Sequence, residues 1–173
     1  MKTSLLITGG LAFGAMTFAQ EKPNIIVILA DDLGFSDLGC YGGEVQTPVL
    51  DKMAKQGVRM TQMYNSARSC PSRANLLTGL YPHQTGLGHM DATRPAWPKG
   101  YAGFRSNSDN VTIAEVLKDA GYFTAMSGKW HLGDSLRPQH GFSKWYTIGR
   151  GGCHYMRPDM VEDGVLHQEK RYV

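Results

Sequence analysis

One nearly continuous apolar run, residues 24–30, constrains the fold more than any other feature of the chain. It reads Asn-Ile-Ile-Val-Ile-Leu-Ala and lacks the alternation of a half-buried strand. A short, β-branched run of this kind is typical of a strand that is covered on both faces, as in a parallel sheet between helices. The sequence therefore predicts an α/β fold.

Two adjacent carboxylates, Asp31 and Asp32, follow this run directly and precede Gly34. Open α/β sheets place their sites at the carboxyl ends of the strands. Neighbouring residues of an extended chain point to opposite sides, but a turn begun at Gly34 can bring both carboxylates around one ion. Taken alone, the pair is equally compatible with metal binding and with turn capping.

A second strand, residues 58–64, is predicted to lead into a loop and a helix within residues 66–79. Pro71 suits the first helical turn, because its missing N–H needs no partner there. If the helix begins near Ser69, Arg73 lies on the same face four residues later. The unpaired N–H groups of such a helix start favour a bound anion.

A third strand is predicted at residues 122–127, and Gly-Lys-Trp-His-Leu-Gly follows it at positions 128–133. In an extended segment, Lys129 and His131 project to one side while Trp130 turns into the packing. Lysine supplies positive charge to an oxyanion, and histidine exchanges protons near neutral pH. Because three strands deliver polar residues to one sheet edge, we predict a single site there.

The remaining elements show readable helix ends and irregular loops. One amphipathic helix is predicted to be capped by Thr47 and stopped by Gly57, and another to begin with the capping box of Thr112 and Glu115. Residues 80–110 predict a long surface excursion, in which His83, His89 and Asp91 share no ligand spacing. Residues 149–155 form a glycine-rich loop that is open to a binding role or to none.

Composition excludes some classes of partner. The formal net charge is only +3 over 173 residues, and the basic residues are scattered, so no nucleic-acid footprint is visible. Cys40, Cys70 and Cys153 form no metal-ligand dyads, and we interpret Cys40 and Cys153 as thiols rather than as a disulfide.

The first nineteen residues are interpreted as a signal peptide, which leaves residues 20–173 as the mature chain. Lys2 precedes a short apolar run, and small residues end at Ala19, where a signal peptidase would cleave. The run is short and interrupted by glycine, which disfavours a membrane span. We therefore expect a periplasmic or secreted bacterial protein without a membrane span in its mature chain.

Three ordered motifs carry a family resemblance. Ser-Cys-Pro-Ser-Arg at positions 69–73, followed by Leu-Thr-Gly at 77–79, resembles the signature of type I sulfatases of the alkaline-phosphatase superfamily. Residues 24–34 resemble the first strand and metal pair of that family, and residues 128–133 resemble its second signature. The resemblance implies an alkaline-phosphatase-like sandwich with a mostly parallel central sheet between helices, incomplete in this chain.

The resemblance also implies roles for the site residues. Ser69 aligns with the residue that is oxidised to formylglycine (3-oxoalanine), whose hydrate is the nucleophile, while Cys70 occupies a variable position. One hydroxyl of the hydrate attacks sulfur, and the other later expels sulfate. Arg73 would hold the hydrate, Lys129 would bridge it to the sulfate, and His131 would take the proton.

Cofactor and partners follow from the same resemblance. Asp31, Asp32 and the modified Ser69 would bind one divalent ion, usually Ca²⁺. A serine precursor implies a formylglycine-generating maturase of the anaerobic radical type, and the implied substrate is a sulfated carbohydrate or an aryl sulfate. In relatives, further metal ligands and the acid for the leaving group lie downstream of the matched region, so the isolated chain is expected to be inactive.

Two other functions remain open at the level of sequence. Relatives with the same signature hydrolyse phosphonate or phosphate diesters. If Ser69 stays unmodified, the chain would instead be an inactive module that binds sulfate.

Overall fold

The computed structural model describes residues 22–90, 104 and 110–172 of the chain. The chain divides into two units, Met1–Gly34 and Phe35–Val173. The predicted signal peptide lies outside the described residues, as do Asp91 and most of the predicted excursion of residues 80–110. In the part of the chain that is described, no helix is long and apolar enough to cross a membrane.

The described part of the first unit, residues 22–34, is an extended segment that ends in a bend. Residues 24–30 pair with none of the described strands, and their side chains are exposed, Ile26 at 82% and Ile28 at 73%. The prediction of a strand covered on both faces is therefore wrong for the chain as described. An apolar strand is buried only where other strands and helices cover it.

Three α-helices lie in the second unit: α1 (Pro48–Gln56), α2 (Ser69–Thr78) and α3 (Ile113–Asp119). Gly57 ends α1 as predicted, by donating its N–H to the carbonyl of Met53. The start of α2 at Ser69 is also confirmed.

The predicted helix caps have different outcomes. Thr112 and Glu115 form the predicted capping box of α3, each side chain bonding to the main chain of the other. Thr47 precedes α1, but its hydroxyl accepts the N–H of Gly39 and donates to Asp51 instead of capping the helix. Residues 58–64 were predicted as a strand. Within the described structure they are exposed and belong to no strand, so this prediction is wrong.

Four short strands form one sheet in sequence order: β1 (Ala125–Gly128), β2 (Lys144–Ile148), β3 (Asp159–Glu162) and β4 (Val165–Gln168). The β1 and β2 strands pair in parallel, and the other two pairings are antiparallel. The third predicted strand is thus confirmed, although it begins later than expected. With the helices, the sheet gives the predicted α/β architecture.

A cluster of buried side chains joins α2 to the sheet. Trp130, the second residue after β1, packs against Trp145 of β2 with ring centroids 5.2 Å apart, so its predicted turn into the packing is confirmed. Cys70 and Ala74, from one face of α2, belong to the same cluster. The core therefore holds the start of α2 near the loop that follows β1.

The cysteines are free thiols, as expected for Cys40 and Cys153. Cys70 is fully buried.

Candidate active site

The start of α2 presents Ser69 at the edge of the core. Arg68 is the extended residue before the helix, and its carbonyl accepts the N–H of Ser72 at 3.0 Å. Pro71 lies in the first turn, as predicted, and is buried. Ser69 is half-buried, so its hydroxyl lies at a helix amino terminus with access to solvent.

Ser69 makes two side-chain contacts that define the site. Its Oγ lies 2.8 Å from Nδ1 of His131, and Nε of Arg73 donates to the same oxygen at 3.2 Å. The predicted placement of Ser69 and Arg73 on one helical face is therefore confirmed. The side chains of His131 and Arg73 converge on the Ser69 oxygen, which can exchange a proton with the imidazole beside a fixed positive charge.

Arg73 is a buried cation, with only 7% of its surface exposed. Besides Ser69, its guanidinium donates to the main-chain carbonyl of Lys129. Guanidinium has donors only and stays protonated, so burial requires acceptors such as these. A positive charge is thus held next to the Ser69 oxygen, where it stabilises negative charge that develops there.

His131 lies in the loop after β1, and its main chain adopts the left-handed conformation where its side chain contacts Ser69. The φ angle of His131 is +57°, and that of Gly128 is +104°. For a residue other than glycine this conformation costs on the order of 1 kcal/mol. Because the chain stops being extended here, the sequence argument that relates Lys129 to His131 by strand alternation is wrong. The described contact of Lys129 with the site is through its main chain.

Gly151 is a site residue that the sequence analysis did not identify. An alanine Cβ at this position would lie 2.2 Å from Nε2 of His131, well inside contact distance. The main chain of Gly151 therefore lies against the imidazole ring. The only sequence signal was the glycine-rich loop of residues 149–155.

Asp31 and Asp32 belong to the first unit, and the contacts above belong to the second. Both carboxylates are exposed and follow the extended segment at a bend. Their chemistry fits calcium, which prefers oxygen ligands, but two carboxylates carry four oxygens and calcium takes about six to eight. Among the described residues, no three His, Cys, Asp or Glu side chains are grouped as a metal site.

Three non-glycine residues with positive φ lie in or next to the three motifs, Ala67 being two residues before Ser69. These residues are Asp32 at +56°, Ala67 at +54° and His131 at +57°. Backbone strain of this kind is concentrated at functional sites, where the surrounding structure maintains it. The same conformation occurs outside the motifs, at His140 and Asp163, so it accompanies the three segments without being confined to them.

Comparison with protein families identifies the class of protein. The family model described as Sulfatase matches residues 23–163. The chain belongs to the sulfatase family. As a family, sulfatases generally depend on calcium and on a formylglycine residue.

Two curated relatives show the extent of the similarity. An arylsulfatase from Klebsiella aerogenes is 46% identical over 168 residues, which cover 94% of this chain and 35% of that protein. An N-acetylgalactosamine-6-O-sulfatase from Bacteroides thetaiotaomicron is 47% identical over 127 residues, which cover 70% of this chain and 22% of that protein. The chain thus spans about a third of the first relative and about a fifth of the second.

A solved structure extends the similarity to the fold. It is described as a complex with its substrate D-glucosamine-2-N,6-O-disulfate. The TM-score is 0.70 at 38% identity, and the match covers 88% of this chain and 28% of that one. The α/β architecture of this chain is therefore also found in the corresponding part of that structure.

Proposed function

We propose that the protein hydrolyses sulfate esters and that Ser69, once oxidised to formylglycine, supplies the nucleophile. Membership of the sulfatase family supports the reaction class. The observation that carries the assignment to Ser69 is the convergence of Arg73 and His131 on its Oγ. The neighbouring Cys70 is fully buried in the core and is the poorer candidate for modification.

His131 acts as the proton acceptor at the position of the Ser69 side chain. Once Ser69 is oxidised and hydrated, position 69 would offer one hydroxyl for attack on sulfur and a second whose loss of a proton would release sulfate. Nδ1 of His131 lies 2.8 Å from the Ser69 oxygen, a distance that permits direct proton transfer. Such transfer contributes about 10²- to 10⁴-fold to rate.

Two cationic residues hold the negative charge of the reacting groups. Arg73 fixes the oxygen at position 69 by donating a hydrogen bond from its Nε. Lys129 is assigned to the sulfate, because it lies in the same loop as His131 and its main chain contacts Arg73. The two charges together favour a substrate with an anionic head group.

Asp31 and Asp32, with the modified Ser69, are assigned as ligands of one calcium ion. Carboxylate oxygens suit calcium, and further oxygen ligands are needed to reach about six to eight. The bound ion would offset the charge of the sulfate. The positive φ of Asp32 supports a special role for this bend.

A sulfated carbohydrate is the proposed substrate. One relative is named for N-acetylgalactosamine-6-O-sulfate, and a similar solved structure holds a glucosamine disulfate. The similarity to both supports an amino-sugar sulfate, and the similarity to the Klebsiella aerogenes arylsulfatase supports an aryl sulfate as the second candidate.

Maturation and location complete the proposal. A serine at position 69 requires a maturase of the anaerobic radical type. The signal-peptide pattern of residues 1–19 supports export to the periplasm or beyond.

The test is a substrate profile of the full-length protein, co-expressed anaerobically with a radical maturase. We expect sulfate esters of amino sugars to be hydrolysed faster than phosphate diesters. Ser69→Ala should lower kcat by at least about 10³-fold, because the nucleophile is lost. Ser72→Ala, on the same helix but away from the described contacts, serves as the control. Faster turnover of phosphate diesters, or binding of sulfated sugars without turnover, would contradict the proposal.

A further inference from the structure

The ring of His131 lies between two elements of the second unit. Its Nδ1 edge faces Ser69 at 2.8 Å, and its opposite edge faces the main chain of Gly151. A Cβ built on Gly151 would lie 2.2 Å from Nε2, 2.3 Å from Cδ2 and 2.9 Å from Cε1 of the imidazole. An alanine at position 151 therefore cannot coexist with the ring in its present position.

The sheet explains why Gly151 reaches this place. His131 is the third residue after β1, and Gly151 is the third residue after β2. The two strands are parallel neighbours with Gly128 opposite Thr147, so their carboxyl ends meet at one sheet edge. The N–H of Gly149 donates to the carbonyl of Asp159 at 2.8 Å, which anchors the base of the loop.

The backbone of Gly151 does not itself require glycine. Its φ is outside the positive range that disfavours other residues, and the same is true of Gly152. The two glycines differ in their surroundings, because a Cβ on Gly152 would meet no heavy atom within 4 Å. Glycine is therefore needed at position 151 because the imidazole of His131 occupies the space that a Cβ would fill.

We propose that Gly151 is a positioning residue for His131, an inference that rests on the proposed function of that histidine. Its main chain closes the side of the ring remote from Ser69 and keeps Nδ1 at hydrogen-bonding distance. Because the imidazole is rigid, any shift forced at Nε2 moves Nδ1 as well. Gly151 thus acts on proton transfer through His131 and not by contact with the substrate.

The test is a double-mutant cycle in the full-length protein, with Gly151→Ala and His131→Ala made singly and together. Gly152→Ala is the matched control. With His131 present, Gly151→Ala should lower kcat by about 10²-fold with little change in KM, because proton transfer is impaired. It should also lower the Tm. In the His131→Ala background both effects should vanish, because the clashing ring is absent.

The cycle separates this inference from the proposed function. The coupling in Tm, or recovery of folding in the double variant, supports the positioning role even if no sulfate ester is turned over. Equal effects of Gly151→Ala in the two backgrounds, or equal behaviour of the Gly151→Ala and Gly152→Ala variants, would overturn it.

Discussion

Ser69 and Cys70 are neighbours in sequence with opposite surroundings. The Ser69 hydroxyl meets Arg73 and His131, whereas Cys70 is fully buried among core side chains. Helical periodicity was enough to predict that Ser69 and Arg73, four positions later, share one face of the helix. The contact with His131 joins residues 62 positions apart. The family resemblance pointed to it, whereas the sheet-edge argument relied on a strand at residues 58–64 that the described structure lacks.

Arg73 should not tolerate replacement by lysine. Its guanidinium donates at once to Ser69 Oγ and to the carbonyl of Lys129, which a single ammonium group cannot reproduce in the same geometry. For Arg73→Lys we expect kcat/KM to fall by about 10²- to 10³-fold in the full-length enzyme, as is usual when a donor to a developing anion is lost.

Arg68→Lys is the control for this change. Arg68 precedes the same helix, and its side chain is exposed. Steady-state kinetics of the two variants should differ widely. Similar rates for both would contradict a specific role of the Arg73 guanidinium.

The secondary-structure elements show which sequence signals are local. The capping box of α3 and the glycine that ends α1 were predictable, because each depends on residues within one turn. Residues 24–30 and 58–64 were predicted as strands and are unpaired among the described residues. The apolar residues in these two segments indicate that a strand would be buried, but burial depends on partners that lie far away in sequence. Gly151 escaped prediction because a close main-chain approach leaves no periodic signal.

Gly141 should be essential for the packing of α3. Its φ is +86°, and a Cβ there would lie 2.3 Å from the main-chain nitrogen of Glu115. Backbone atoms at a helix start cannot move aside as a flexible side chain can. We expect Gly141→Ala to lower the free energy of unfolding by more than about 2 kcal/mol.

Gly79→Ala is the control for Gly141→Ala, because it introduces the same backbone strain without a steric clash. Gly79 has φ of +70° with nothing within 4 Å of its would-be Cβ. Its replacement should cost only about 1 kcal/mol. Urea denaturation measures both variants, and equal losses would show that the clash at Gly141 has no effect.

The turn between β3 and β4 should make stability depend on pH in the acid range. The side chain of Lys144, followed by the main-chain N–H of Trp145, lowers the pKa of Asp163 from its ordinary value of 3.8. The ionised Asp163 therefore stabilises the fold fully above about pH 4. That contribution is lost as the pH falls through the lowered pKa.

Asp163→Asn tests this pH dependence. Asparagine also tolerates the φ of +48° found here, so the turn is kept while the charge is removed. We expect the wild type to have the higher Tm at neutral pH and the difference to shrink below pH 4. A difference that stays constant down to pH 2 would contradict the assignment.

At the scale of the whole molecule, the 173 residues should not hydrolyse sulfate esters by themselves. The chain spans 35% of the Klebsiella aerogenes arylsulfatase. The carboxylates of Asp31 and Asp32 are exposed and too few for a calcium site. We expect the purified 173-residue chain, with Ser69 modified, to show no turnover of an aryl sulfate above that of its Ser69→Ala variant. Measurable turnover would show that the chain contains a sufficient site.

The central claim is that Ser69 is the precursor of formylglycine. The direct measurement is mass spectrometry of the peptide that contains Ser69, from full-length protein co-expressed anaerobically with a radical maturase. We expect a peptide lighter by two hydrogen atoms, with fragment ions that assign the loss to Ser69. The loss should persist in Cys70→Ala and be absent in Ser69→Ala. An unmodified Ser69, or a loss assigned to Cys70, would contradict the claim.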